Sequence, residues 1–380
     1  MKYKPYTVKD VKKASAENKF SVISCFAGGG GSSTGYRLAG GKILLINEFV
    51  EEAISSYKKN YPDTPVLVDD IKKYSGQDFL DKVKLKEGEL DILDGSPPCS
   101  AFSVAGKREK GWDKTKNYSD GKTVENIEDL FLDFIRVAKE IKPKVIVAEN
   151  VKGITFGEAT KKLNEFIKAF ESIGYYVTYK VLNAADFGVP QARERTIFIC
   201  VREDVADAIG LSFLNLVGIF PGEFGYQISM EDAIENIKND ENEIKELKEY
   251  YEGSFQKKFL DPIPFRPKRH MKPSDPEFRD WNPKASCFNM IRPCPTMPSP
   301  TLTQQGQKKG LSGVFHYADN RKLTIKELKR LMSLPEDYEL TGTFDQQAER
   351  IGRMVAPKMM AEVAKSIYEN VLKPYNEVNK

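Results

Sequence analysis

The sequence predicts an α/β fold, a Rossmann-like and largely parallel sheet with helices on both faces, joined to a smaller irregular domain. Three observations lead there. Over the first two hundred residues, short apolar runs alternate with longer amphipathic ones, as βαβ units require. The first apolar run ends in four consecutive glycines, FAGGGG. After about Val201 the alternation gives way to an acidic stretch and then to the proline-crowded FLDPIPFRPKRHMKPSDPEFRDWNPK. The expected domains are residues 1–203, 204–322 and 323–380, the last returning as helices to the first.

The expected strands are Ser21 to Phe26, Lys42 to Asn47, Val66 to Val68, Leu90 to Leu93, Lys144 to Ala148, Tyr176 to Leu182 and Thr196 to Val201. Between them, Asn126 to Ile141 repeats Ile127, Leu130, Phe131, Phe134, Ile135 and Ala138 at helical spacing. Closely spaced proline excludes regular helix and central strand from the 259–284 segment. Helical patterning resumes with TIKELKRLMSL and FDQQAERIGRMVAPKMMAEVAKSIYENVL.

Composition narrows the function. A chain of 380 residues with 40% hydrophobic and 30% charged residues is globular and long enough for more than one domain. The best candidate for a membrane span, Leu211 to Phe220, is too short and carries Ser212, Asn215 and Gly218. The basic amino terminus lacks the apolar stretch of a secretory signal, so a cytoplasmic protein is expected. Five cysteines without C-x-x-C spacing and two histidines, His270 and His316, point to no disulfide framework and no metal site. Acid–base work then falls to carboxylates, a thiol or a bound cofactor. The net charge of +3 is slight but unevenly spread. Glu231 to Glu252 holds nine acidic against three basic residues, and Phe255 to Pro295 holds nine basic against four acidic.

Four segments carry chemistry. SVISCFAGGGGSSTG reads as strand, glycine turn and helix start, where backbone N–H groups meet a ligand closely. Glu48, at the end of the second strand, is placed to take ribose hydroxyls, and Asp70, after the third, to accept from an adenine amino group. These residues do not separate a nicotinamide cofactor from S-adenosylmethionine. DILDGSPPCSAFS presents Cys99 beyond an apolar strand, behind two stiffening prolines; a lone cysteine is otherwise most often a buried hydrophobe. The glycine-punctuated GKREKGWDKTKNYSDGK that follows reads as a lid. KVIVAENVKG sets Glu149 and Asn150 just after another strand, where a partly desolvated carboxyl is suited to give a proton near neutral pH. In QARER, Arg193 and Arg195 point to one side of an extended segment and can fix a carbonyl, a carboxylate or a phosphate. A surface charge run explains that segment nearly as well.

In order, FAGGGG, NEF, DDI, PPC, ENV and QARER resemble the motifs of the DNA (cytosine-5)-methyltransferases, and RPCPTMPSPTLT and IGRMVAP look like the family's last two. The resemblance spans nearly the whole chain, and the motif-poor part from Asp204 to Ile291 lies where the family keeps its target recognition domain. It implies Cys99 as nucleophile, Glu149 at the base's ring nitrogen, and Arg193 and Arg195 supporting the base. It implies an S-adenosylmethionine site lined by Phe26, Gly28, Gly31, Glu48, Phe49, Asp70, Ile71, Pro98, Leu130 and Val355. Double-stranded DNA is the implied substrate, with base flipping, a monomeric enzyme, no metal, no membrane and a cognate restriction endonuclease as possible counterpart. One departure stands out: Arg353 follows Gly352 where the family usually has asparagine. That side chain either pairs with the cofactor's carboxylate or points to solvent. Rival readings are a tRNA cytosine-5 methyltransferase, although its Cys-Phe-Thr signature is not seen, a nicotinamide oxidoreductase, and a catalytically silent DNA-binding relative.

Overall fold

The computed structural model describes residues 2–97, 116–117, 123–124, 127–212, 215–278, 290–310 and 313–379. Pro98, Cys99 and nearly all of the segment read as a lid lie outside the described residues.

All seven expected strands form, as β1 (Ser21–Cys25), β2 (Lys42–Glu48), β3 (Val66–Val68), β4 (Ile92–Gly95), β5 (Val145–Val151), β6 (Tyr175–Asn183) and β7 (Glu194–Arg202). Their order in one sheet is β3-β2-β1-β4-β5-β7-β6. The pairs β1–β2, β2–β3, β1–β4 and β4–β5 are parallel, and β7 runs antiparallel to β5. The order reverses between β1 and β4, the switch point where open α/β sheets bind ligands at their carboxyl ends.

Six of the strands differ from expectation at one or both ends, by one to three residues, and two of these differences have a clear cause or consequence. β4 begins later because Asp91 turns its side chain to Ser21, accepting from its N–H and hydroxyl at 2.8 Å each, while Lys144 Nζ lies 2.7 Å from the other oxygen. β5 runs on to Val151, so Glu149 and Asn150 belong to the ladder, in register with Ile197 and Thr196. The core beneath the sheet is apolar as the periodicity requires. Phe131 stacks on Phe166 at 3.7 Å, and Leu130, Phe134 and Ala138 are buried beside Ile23, Leu93 and Phe198. A side chain at Gly95 would strike the Phe134 ring at 2.5 Å, so the last residue of β4 has room only for glycine.

Contacts divide the chain into two compact units. The sheet unit comprises Lys9–Leu182, Glu194–Gly222 and Met360–Lys380; the second unit comprises Met1–Val8, Asn183–Arg193 and Glu223–Met359. The division departs from the expected boundaries. Asn183–Arg193 clusters with the irregular region, as do the helices Ile325–Leu331 and Phe344–Arg353, and only residues from Met360 onward cluster with the sheet. The last helical pattern is also broken in two. It stops at Arg353 and restarts at Pro357, because proline lacks an N–H and disfavours helix in the residue before it.

The second unit has its own core, Tyr251, Leu260, Ile263, Met290 and Phe315. Thr324 and Thr343 open its last two helices with capping boxes to Glu327 and Gln346. The acidic stretch forms the helices Met230–Ile234 and Glu241–Glu252, and the described part of the proline-rich segment, residues 259–278, is largely irregular.

Candidate active site

In the sheet unit, β1 leads into a turn held by left-handed residues, Phe26 at φ 53°, Gly28 at 55° and Gly30 at 90°. Gly30 caps the helix Gly31–Leu38, and no side chain caps that helix start. A Cβ built on Gly28 would meet nothing within 4 Å, so the turn faces open space. Glu48, at the end of β2, secures it. One carboxyl oxygen accepts from Gly28 N–H at 2.7 Å, and the other from Phe49 and Val50 N–H at 2.8 and 2.9 Å. Three of a carboxylate's roughly four acceptor positions are therefore used, which leaves about one, rather than two, for a hydroxyl. Asn47 donates to the carbonyls of Leu67 and Asp69 and fixes the end of β3, where Asp70 caps its own short helix through Lys72 N–H. Ile71 is buried and Phe49 half-buried beside this edge, whereas Leu130 lies within the core.

Farther along the same sheet, Glu149 of β5 meets Arg195 of β7. Oε1 of Glu149 lies 2.8 Å from Arg195 Nε, and the two side chains are 11% and 14% exposed. Arg195 also donates to the Glu194 carbonyl at 2.7 Å. Burial lowers the Arg195 guanidinium from its usual value, against the opposing pull of Glu149. The second oxygen of Glu149 has no hydrogen bond among the described residues.

The two arginines of QARER do not share a face. The chain passes from the second unit to the sheet unit between Arg193 and Glu194. Arg193 is fully buried, and its two terminal nitrogens donate to the carbonyls of Leu302 and Gly352 at 3.0 and 3.2 Å. Gln191 works beside it, taking the Leu302 N–H at 3.0 Å and donating to the Leu331 carbonyl at 3.2 Å. Gly352 admits no larger residue, since a Cβ there would lie 2.6 Å from the backbone of Thr303 and Gln304. Arg353 pairs with Glu349 one helical turn earlier, at 2.6 Å, and Lys308 takes the other oxygen of Glu349, also at 2.6 Å. The side chain is therefore held by Glu349 rather than turned freely into solvent. Val355 is buried in the second unit.

The profile of the family described as C-5 cytosine-specific DNA methylase matches residues 20–369. The chain is 32% identical over 354 residues to the Type II methyltransferase M1.HphI of Haemophilus parahaemolyticus, an alignment covering 91% of this chain and 86% of that one. The chain belongs to the C-5 cytosine-specific DNA methylase family. M.NgoFVII, a Type II methyltransferase of Neisseria gonorrhoeae, is 29% identical over 371 residues, covering 96% of this methylase and 91% of the relative. Among solved structures, a Spodoptera frugiperda DNMT2 mutant shares the fold at TM-score 0.62 and 19% identity, covering 92% of this chain and 99% of its own. The Dnmt2 methyltransferase of S. pombe does so at 0.57 and 17%, covering 94% and 99%.

The family methylates cytosine in DNA with S-adenosylmethionine as methyl donor. The residues of this methylase fit such a donor: an open glycine turn at the switch point, an uncapped helix start and a carboxylate at the end of β2. Among the described residues, no helix is long and apolar enough to cross a membrane.

Sequence reasoning missed one group in this methylase. Asp94, the penultimate residue of β4, is fully buried and accepts from Ser24 Oγ at 2.7 Å, Ser32 Oγ at 3.0 Å and Tyr36 Oη at 3.1 Å. Its signal was visible in LDGSPPC, an acid inside an apolar strand, but the nearby thiol drew the reading past it.

Proposed function

We propose that this methylase modifies carbon-5 of a cytosine swung out of a specific duplex DNA sequence, through a covalent bond between Cys99 and the base. The Glu149–Arg195 pair at the carboxyl edge of the sheet carries the reading. Carbon-5 of cytosine is a poor nucleophile until the ring is activated. Cys99, as thiolate, adds to carbon-6 and pushes electron density toward carbon-5, while Glu149 supplies a proton or strong hydrogen bond at nitrogen-3. Arg195 holds one oxygen of Glu149 and so aims the other at the pyrimidine edge. S-adenosylmethionine supplies the methyl group as an electrophile. A base then removes the carbon-5 proton and the Cys99 thiolate departs, which restores the ring without a metal or an imidazole. Arg193, tied to two backbone carbonyls, is read as a brace for the segment that delivers Arg195 rather than as a contact to the base.

The second unit is read as the target recognition part. Several of its basic side chains are already partnered on the surface: Arg266 with Glu231, Arg269 with Asp275 and Glu277, and Lys257 with Glu252 and Asp261. Exposed pairs of this kind are worth roughly 0–1 kcal/mol, so exchanging a carboxylate for a DNA phosphate costs little. Arg292 is excluded from that role, because it is buried and donates to the carbonyls of Leu260, His316 and Asp319. Extruding the base costs roughly a few kcal/mol, which these contacts offset. The cofactor is read as lying over Phe26, Gly28, Gly31, Glu48, Asp70 and Ile71, with Phe49 and Pro98 as further lining. A cognate restriction endonuclease accords with the Type II naming of the relatives, and the enzyme is read as monomeric and cytoplasmic.

Transfer of labelled methyl from S-adenosylmethionine separates the readings. Incorporation at cytosine carbon-5 of duplex DNA is expected; incorporation into tRNA alone, or none, contradicts the proposal. Duplex affinity is expected to fall as salt is raised, since phosphate neutralisation releases counterions, and a flat salt titration removes the DNA-contact assignment.

A further inference from the structure

We propose that Asp94 is a positioning residue by which the glycine turn distinguishes a cationic methyl donor from its neutral product. The inference rests on the reading that this turn holds the cofactor. Asp94 stands opposite Ser24 in the β1–β4 register, and Ser24 lies two residues before the turn. Ser32, which shares the same oxygen of Asp94, is the second residue of the helix that begins at the turn. Tyr36, one helical turn later, takes the other oxygen. The carboxyl thus ties together both sides of the turn, on the strand that leads on toward Cys99.

Its partners are three neutral hydroxyls, and among the described residues no cation is bonded to it. The titratable groups that face it are Cys25 of β1, Tyr36 of the helix and Glu149 of β5; none of the three is a cation, and Glu149 is already paired with Arg195. Burial pushes Asp94 up to about 6, against the three hydrogen bonds, and Glu149 pushes in the same direction. A buried carboxyl left without a counter-charge is costly, and a sulfonium arriving at the turn supplies one. The product, S-adenosylhomocysteine, has lost that positive charge and cannot. Binding of the donor therefore favours release of the Asp94 proton, and binding of the product does not. The preference for donor over product grows as pH rises through about 6. The expected size is on the order of tenfold, the effect of lowering the Asp94 pKa by about one unit when the donor binds.

Isothermal titration of the full chain with S-adenosylmethionine and with S-adenosylhomocysteine, between pH 5 and 8, tests this. In the wild type the donor-to-product affinity ratio is expected to rise about tenfold across the range, with proton release seen only for the donor. Asp94→Asn keeps shape and neutral hydrogen bonding, and is expected to bind both ligands with a ratio that no longer varies with pH. A wild-type ratio that is flat, or an Asp94→Asn ratio that still climbs, overturns the proposal. If Asp94→Asn does not fold, Ser32→Ala serves: losing one hydroxyl destabilises the charged carboxyl and is expected to move the midpoint to higher pH, and an unmoved midpoint overturns the proposal. Glu48→Ala, which frees the Gly28 N–H, is expected to weaken both ligands alike. Unchanged affinities there overturn the assignment of the turn to the cofactor, and the proposal with it, whereas weakened affinities in Glu48→Ala beside a wild-type ratio that does not vary with pH overturn the proposal alone.

Discussion

The sheet unit and the second unit immobilise their buried charges in different ways. At the sheet edge, position comes from register: Glu149 is set by the β5–β7 ladder, which satisfies its backbone and leaves a carboxyl oxygen for chemistry. In the second unit, three buried cations are spent on the backbone, while a fourth, Arg321, grips the buried carboxylate of Glu327 with both terminal nitrogens at 2.8 Å. Arg193 holds the carbonyls of Leu302 and Gly352, Arg292 holds three more, and Lys322, also buried, donates to the Gly306 carbonyl at 2.8 Å while lying over the Phe315 ring at 4.3 Å. The physical reason is hydrogen-bond accounting. Where proline and short loops replace ladders, buried carbonyls need donors from side chains, and long cations can reach several at once. Charges of the first kind are expected to control rate, and charges of the second kind stability.

The sharpest contrast in rate should come from Glu149→Gln. Turnover is expected to fall by about two to four powers of ten, as for loss of a positioned proton donor, with DNA and cofactor affinity retained. Wild-type turnover would end its role. Next, Arg193→Met and Arg195→Met, two residues apart, should part company. Arg195→Met is expected to cost roughly tenfold to a hundredfold in kcat with little change in Tm, because it frees Glu149 to rotate. Arg193→Met is expected to lower stability by about 2–4 kcal/mol in denaturant titration, having left two buried carbonyls without donors. Matching effects at the two sites would erase the distinction between the units.

A smaller effect is expected at Asp94. A folded-state pKa near 6, above the ordinary 3.8, means that the folded chain holds this proton more tightly than the unfolded chain does. The stability contributed by Asp94 is therefore complete below about 4 and is lost as pH rises to about 6. The Tm of Asp94→Asn relative to wild type should climb across that window and level off above it. A difference that does not vary with pH would show that the carboxyl is not desolvated.

Much of this was legible in the sequence because the sheet is. Central strands buried on both faces, such as β1, β4 and β5, write continuous apolar runs, and the groups at the carboxyl ends of the strands, Glu48, Asp70 and Glu149, follow directly from where the runs stop. The fate of the two arginines was not legible. Alternation along QARER placed Arg193 and Arg195 on one face, but the chain changes unit between Arg193 and Glu194, and no local pattern marks that crossing. Arg353 was open for a related reason, since its partner Glu349 is local but the second anchor, Lys308, comes from a distant loop. The basic stripe between Phe255 and Pro295 was visible as composition. Its pairing with the preceding acidic stretch, as in Arg266 with Glu231, was not, because it depends on how irregular backbone folds.

The central claim, that Cys99 and Glu149 act on one pyrimidine, is tested most directly with duplex DNA carrying 5-fluorocytosine at the methylated position. Fluorine cannot leave as a proton does, so after methyl transfer the wild-type chain is expected to stay covalently attached in a denaturing gel, only with S-adenosylmethionine present, and Cys99→Ala is expected to give no adduct. A wild-type chain that methylates cytosine yet never forms the adduct, or a Cys99→Ala chain that does, would contradict the account.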